Sequence, residues 1–233
     1  MSRSTRWVVV AVALALVVAL LGPFVYSELT EGRTPPPLGL QTPGETTPPV
    51  ESPSPGPFEV DGRWEVAAGS EAGFRAEQLD VPEDEATVVG STADVSGTVD
   101  VLGGEATAAT VDVATATLTT GSALRDHYLR QELESDVFPT ATFTLTEPLD
   151  VSEVERTTGA VPLEAHGTLT LRDVTAPVTV ALEVQRTGDG VQVNGAIAVR
   201  FSEYGLTLPE DARVQVRDEG TVEVRLLLAR SAG

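Results

Sequence analysis

The chain has 233 residues, a formal net charge of −20 at pH 7 and no cysteine. The lack of cysteine excludes disulfides, thiolate catalysis, cysteine-ligated zinc and lipid attachment through an N-terminal cysteine. The negative charge repels phosphate groups, which argues against nucleic acid as a partner. Residues 1–57 carry three arginines and four glutamates, so nearly all of the excess charge belongs to the rest of the chain.

An apolar segment without charged side chains comes first, at residues 7–26. As a helix it would be about 30 Å long, which matches the hydrocarbon core of a bilayer. Arg3 and Arg6 precede it, so the positive-inside rule places residues 1–6 in the cytoplasm and the C-terminal part outside. We predict a single-pass signal-anchor helix. The alternative is a signal peptide cleaved after residue 27, which would secrete the domain.

Residues 27–57 are predicted to form a linker, because they show no hydrophobic periodicity. Nine prolines fall between Pro35 and Pro57. Proline removes backbone donors and disfavours helix, so we expect a semi-extended tether between the anchor and the domain at residues 58–233.

The domain begins where the hydrophobic pattern changes to a period of two, which is typical of strands with one apolar and one solvated face. The clearest runs are 95–101, 109–113, 141–145, 168–171, 178–184, 197–201 and 222–226, with a further strand near Trp64. Hairpin turns are predicted at 103–104, 187–190 and 218–220. About eight antiparallel strands with one apolar face must close as a barrel or pack as a two-sheet sandwich, and the alternation does not separate these.

One segment, residues 121–139, interrupts the strand pattern. Leu124 and Tyr128 stand four residues apart, as do Leu129 and Leu133. This spacing predicts a short helix that lies over one end of the β structure, where it lines or covers a site.

Two motifs resemble a known family. Residues 119–143 (TTGSALRDHYLRQELESDVFPTATF) are similar to the central motif of the YceI-like family, and residues 167–178 are similar to its Gly-x-Leu-Thr hairpin. Weaker matches flank these two motifs at 62–64, 73–75, 95–97 and 200–205, and all of them occur in the order found in the family. The resemblance covers essentially all of residues 58–230.

The resemblance implies an all-β, eight-stranded antiparallel lipocalin-like barrel with a short helical insertion, here preceded by one N-terminal transmembrane helix. In relatives the interior is a long apolar tunnel that holds an isoprenoid or related lipid. The acidic residues 82–86 and the long segment 151–163 depart from the family pattern. We expect both to alter a rim of the barrel and not the tunnel.

Candidate site residues follow from the alternation and the resemblance together. The apolar residues expected to touch a lipid chain are Phe74, Val99, Val111, Phe143, Leu169, Val180, Ile197, Phe201 and Val224. A polar head group would need donors, and Arg125, Arg130 and Arg172 are the candidates because guanidinium groups suit phosphate. Arg125 or Asp126 has the alternative role of pinning the insertion by a salt bridge or a cap.

No catalytic or metal-binding pattern is found. The two histidines, His127 and His166, are not spaced in the sequence as metal ligands usually are. The sequence also has no Gly-x-Ser-x-Gly nucleophile elbow, no His-Glu-x-x-His motif and no phosphate-binding glycine loop. We therefore expect no enzyme activity, no metal and no cofactor other than a bound isoprenoid-type lipid. The sequence predicts a membrane-tethered extracytoplasmic lipid carrier for transport, storage or sequestration. The alternative is a solid-core structural or interaction domain without ligand, and a homodimer is left open.

Overall fold

The computed structural model describes residues 58–79, 87–206 and 215–231. Two α-helices interrupt the strands, α1 at Ala123–Glu132 and α2 at Ser152–Arg156, and single 3₁₀ turns lie at Thr115–Thr117 and Phe201–Tyr204. The strands are β1 Gly62–Val66, β2 Glu71–Gln78, β3 Thr87–Thr92, β4 Val95–Leu102, β5 Glu105–Ala114, β6 Thr140–Leu145, β7 Leu149–Asp150, β8 Val161–Leu171, β9 Val174–Thr187, β10 Gly190–Arg200 and β11 Val216–Arg230.

The sheet closes into an eight-stranded antiparallel barrel. Its order is β1-β4-β5-β6-β8-β9-β10-β11, and β11 returns to β1 through the pair Trp64 and Arg230. β2 pairs with the first part of β11, and β3 pairs with β2. β1 and β2 are therefore one interrupted strand of the ring, and β3 and β4 form the next. The predicted all-β barrel is confirmed, and its closure excludes the alternative of a two-sheet sandwich.

Closure explains why the predicted alternation holds along the strands. Successive side chains point to opposite faces, and the inner face of a closed sheet is shielded from water on all sides. Buried apolar residues form one group around Trp64 and a second around Tyr204, towards opposite ends of the barrel. The core of this domain is thus the inner wall of the barrel.

One of the predicted turns is wrong. Residues 218–220 lie inside β11, which continues from Val216 to Arg230. The pairing of β11 with β2 shifts register between Val216 and Gly220, so the glycine marks an irregularity within a strand. The turns at 103–104 and 187–190 are confirmed between β4 and β5 and between β9 and β10.

The connections divide between the two ends of the barrel. The β5–β6 connection, which carries α1, and the β8–β9 turn lie at one end. The β4–β5 turn, the β6–β8 connection with α2, and the β9–β10 turn lie at the other. The predicted helix in residues 121–139 is confirmed as α1, followed by a turn at 133–137.

The predicted anchor at 7–26 and linker at 27–57 lie outside the described residues, as does the acidic segment 82–86. Within residues 58–79, 87–206 and 215–231, no helix combines the length and apolarity that crossing a bilayer requires.

Candidate ligand-binding cavity

The barrel encloses a cavity of about 910 Å³ with a predominantly apolar lining. Every strand of the ring contributes side chains to it. All nine residues predicted to form a tunnel lie in this lining: Phe74, Val99, Val111, Phe143, Leu169, Val180, Ile197, Phe201 and Val224. Their contact with a ligand stays a prediction, but the structure brings them together around one space.

The space exists because inward-facing glycines receive the phenylalanine rings. A Cβ at Gly167 would overlap the ring of Phe143, and a Cβ at Gly90 would overlap that of Phe74. The third such contact joins Gly220 to the ring of Phe201. Each ring therefore lies against the wall where its neighbour has no side chain, instead of crossing the lumen. Gly220, which looked like a turn residue, serves this packing inside a strand.

A fourth inward glycine, Gly195, allows neighbouring side chains to pack closely against the wall of the barrel. A Cβ there would lie 2.9 Å from Val224, 3.1 Å from Leu182 and 3.2 Å from Val180. These distances are shorter than the 3.5–4.0 Å at which nonbonded carbons pack. The wall is thus closely packed around a missing side chain.

One end of the cavity, which we call the floor, is closed by Val60, Trp64, Val151 and Val154. Val60 is 3% exposed, and Trp64 and Val154 are each 2% exposed. The indole Nε1 of Trp64 donates to the carbonyl oxygen of Val60 at 2.7 Å, which satisfies its polar group. The Arg230 guanidinium lies 4.9 Å from the centroid of the Trp64 ring system. The expectation that residues 151–163 alter only a rim is therefore wrong, because Val151 and Val154 line the cavity.

The opposite end, which we call the mouth, is polar and includes exposed side chains. The lining residues here come from α1, the segment before it, the 3₁₀ turn at 201–204 and the start of β11. Tyr128 and Leu129 of α1 add apolar contacts, as the helical spacing predicted. The polar mouth residues are Thr120, Arg125, Gln131, Glu132, Ser202, Gln215, Arg217 and Asp218.

Asp126 pins α1 to the segment before it. Its carboxylate accepts hydrogen bonds from the Thr120 hydroxyl at 2.6 Å, the Thr120 backbone N–H at 2.7 Å and the Thr119 hydroxyl at 2.9 Å. The Thr120 hydroxyl and N–H hold the pKa of the Asp126 carboxyl below its ordinary value, because they stabilise the charged form. The pinning role suggested by the sequence for Arg125 or Asp126 thus falls to Asp126.

Of the three arginines predicted to bind a head group, only Arg125 lines the cavity. It is half-buried, its Nε lies 3.5 Å from the Thr120 hydroxyl, and among the described residues it has no carboxylate partner. Arg130 is exposed and does not line the cavity. The sequence did not single out Arg217, which lines the mouth but pairs with Glu77 at 2.8 Å.

Arg172 has a structural position instead. It occupies the β8–β9 turn with a φ of 57° and pairs with Glu134, just after α1. Its Nη1 also donates to the carbonyl oxygen of Gly205 at 3.3 Å. Arg172 therefore ties α1 and the 3₁₀ turn at 201–204 to the barrel, and the head-group prediction is retained for Arg125 alone.

The described residues contain no group of three or more histidine, aspartate or glutamate side chains that could hold a metal ion. His166 is exposed, its Nδ1 lies 3.2 Å from the Thr179 hydroxyl, and neither histidine lines the cavity.

Comparison with known proteins gives one family and a set of similar folds. The YceI-like domain matches residues 64–228. A polyisoprenoid-binding domain from Saccharophagus degradans, implicated in plant cell wall breakdown, is 20% identical with a TM-score of 0.55, covering 72% of this chain and 98% of its own. BcnA of Burkholderia cenocepacia is 20% identical with a TM-score of 0.57, covering 70% and 98%. At these identities the likeness concerns the fold. No curated protein matches the chain.

Replacing Gly167 by alanine tests how the cavity is kept open. The new methyl group would overlap the Phe143 ring and lie 2.5 Å from the backbone oxygen of Thr144, so the ring moves towards the lumen and the strand shifts as well. Overpacking of this kind costs about 1–3 kcal/mol. We expect a lower melting temperature and a smaller amount of bound ligand. Gly159→Ala is the matched control, because the nearest atom to its Cβ is the Thr157 hydroxyl at 3.5 Å. Equal behaviour of the two variants would contradict the role of the glycine.

Asp126→Asn tests the pin of α1 through its pH dependence. The folded pKa of Asp126 lies below the unfolded value of about 3.9, so its contribution is fully present above that pH and is lost as the pH falls through the folded pKa. We expect thermal melts to show a constant deficit of the variant from pH 5 to 8 that narrows below about pH 4. Asp136→Asn, on the exposed turn after α1, should melt like the parent at neutral pH. If the melting temperature of Asp126→Asn stays equally far below that of the parent chain at pH values under about 4, the charged carboxylate of Asp126 is not what holds α1 in place.

Proposed function

The chain belongs to the YceI-like family, and on that premise we propose that its barrel binds one long-chain, isoprenoid-type lipid. The domain acts outside the cytoplasm, tethered to the membrane by the helix predicted at residues 7–26 and the linker at 27–57. In this position it carries, stores or sequesters the lipid without changing it chemically.

The observation that supports this proposal most is the shape of the cavity. It is long, its lining is apolar along most of its length, and polar residues are concentrated at the mouth. The lining residues of β11 extend from Val216 to Leu228, about 40 Å along the strand at roughly 3.4 Å per residue. With a strand tilt of 35–45°, this corresponds to about 30 Å along the barrel axis. A lipid with a polar head and one long tail has this distribution of polarity.

The width of the cavity accommodates a long hydrocarbon chain, with or without methyl branches. Dividing 910 Å³ by a length of about 30 Å gives a mean cross-section of about 30 Å². Nonbonded carbons approach to 3.5–4.0 Å, so an unbranched chain is about 4 Å across and a methyl-branched chain also fits this space. The similar fold of the polyisoprenoid-binding domain from Saccharophagus degradans supports the same class of ligand.

Burial of the chain supplies most of the affinity in this mechanism. Each methylene removed from water contributes about 0.8 kcal/mol, so a long chain binds tightly without any reaction. At the mouth, Arg125 donates hydrogen bonds to oxygen atoms of the head group. Glu132 and Asp218 also line the mouth, but among the described residues no carboxylate pairs with Arg125, so in this proposal an oxygen of the ligand accepts its hydrogen bonds.

The decisive experiment is native mass spectrometry of the full chain, released from detergent micelles, with organic extraction of a parallel sample. We expect one long-chain isoprenoid-type lipid per chain. A mass equal to the bare polypeptide, with no extractable lipid, would contradict the proposal and favour an interaction domain without ligand.

Arg125→Ala tests the head-group contact in the same assay. We expect it to reduce the lipid occupancy while leaving the melting temperature of the lipid-free protein nearly unchanged. Arg130→Ala is the control, because Arg130 lies on the same helix and is exposed. A lower melting temperature with undiminished lipid would show that Arg125 supports the fold and does not bind the head.

A further inference from the structure

We propose that the floor of the cavity, and within it the two valines of the α2 segment, sets the maximum length of the lipid chain that the barrel accepts. This inference rests on the proposed function, since it concerns how that ligand is selected. It starts from the observation that the cavity closes at one end on buried apolar side chains and reaches the polar mouth at the other. A chain that enters tail first therefore meets an end wall.

The floor is fastened to the barrel at several points, so it does not yield to a longer chain. The backbone N–H of Val60 donates to Glu155 Oε1 of α2 at 2.8 Å. The N–H of Val151 donates to the carbonyl oxygen of Gly104 at 2.9 Å. The carboxylate of Asp61 accepts hydrogen bonds from the N–H groups of Gly103 and Gly104, each at 2.8 Å.

These bonds join the entering segment, α2 and the β4–β5 turn to one another. The Gly104 and Gly103 N–H groups also hold the pKa of the Asp61 carboxyl below its ordinary value, so the carboxylate stays ionised at neutral pH. The floor is thus a cross-linked layer and not a loose loop end.

The available volume gives the chain length at which the floor is reached. A carbon group occupies about the volume of a liquid water molecule, roughly 30 Å³, so 910 Å³ holds on the order of 30 carbons. That number corresponds to about six isoprene units. Additional units would remain in water at the mouth, where they add no burial.

Val151 and Val154 are the residues that can vary the depth without breaking the barrel. Trp64 is a ladder residue paired with both Val99 and Arg230, so its replacement would disturb two strand contacts. Val154 belongs to a five-residue helix outside the sheet, and Val151 precedes that helix. Residues 151–163, which form a longer connection than a tight hairpin needs, therefore supply the part of the floor that can be varied.

The test offers the full chain, in detergent micelles, an equimolar mixture of all-trans prenyl alcohols of about three to nine isoprene units. Native mass spectrometry then reports the distribution of bound lengths. Because every variant receives the same mixture, partitioning into the micelle cancels in the comparison. For the parent chain we expect similar occupancy for all lengths up to the limit, because the micelle and the lumen both remove the chain from water. Each unit beyond the limit should lower occupancy at least about tenfold, because that unit leaves the micelle for water at the mouth.

Two variants should move this limit in opposite directions. Val154→Phe adds four carbons at the floor and should shorten the longest favoured chain by about one isoprene unit. The double variant Val151→Ala/Val154→Ala removes four carbons and should lengthen it by about one. Val137→Ala is the control, since Val137 is 67% exposed near the mouth end and does not line the cavity. If Val154→Phe does not fold, as judged by circular dichroism, Val154→Leu should give a smaller shift in the same direction.

The outcomes separate this inference from the proposed function. An unchanged length distribution in folded floor variants would overturn the length limit while leaving lipid binding in place. Failure of the parent chain to bind any prenyl alcohol would instead overturn the proposed function.

Discussion

One packing constraint determines the character of this domain: inward-facing glycines leave room for the phenylalanine rings of neighbouring positions. Phe143 on Gly167, Phe74 on Gly90 and Phe201 on Gly220 are three instances. An eight-stranded barrel is just wide enough for its side chains to fill it or for one small ligand to occupy it. The glycines decide between these two outcomes, because rings that lie along the wall leave the axis empty.

The two ends of the barrel have different structures and different roles. At the floor, Trp64 and Val154 are almost completely buried, and hydrogen bonds of Asp61 and Glu155 hold the closing layer in place. At the mouth, Asp126 pins α1 and Arg172 ties the segment after α1 to the β8–β9 turn. Arg125 consequently lies on a positioned helix beside an apolar lumen. A polar group held beside a long apolar volume is the arrangement expected of a site for a lipid with one tail.

Much of the barrel could be predicted from the sequence, because alternating valine and threonine report directly on a wall with one apolar face. The alternation did not reveal β2 and β3, because most of their inward positions are small or polar: Ala72 and Ala76 in β2, and Gly90 and Thr92 in β3, with Phe74 and Val88 as the exceptions. The prediction for Gly220 was wrong because the sequence alone does not distinguish a glycine in a turn from a glycine that packs beneath an aromatic ring. The floor was not foreseen, since α2 has only five residues and its role depends on contacts with Val60 and Gly104, distant in the sequence.

A crystal structure of the full chain as purified, without added lipid, tests the central claim most directly, because electron density reports what occupies the lumen. We expect one continuous, branched tube of density that starts at Trp64 and ends beside Arg125, with the Phe143 ring still against Gly167. A lumen filled by the chain's own side chains, with Phe143 turned away from Gly167 towards the axis, would contradict it.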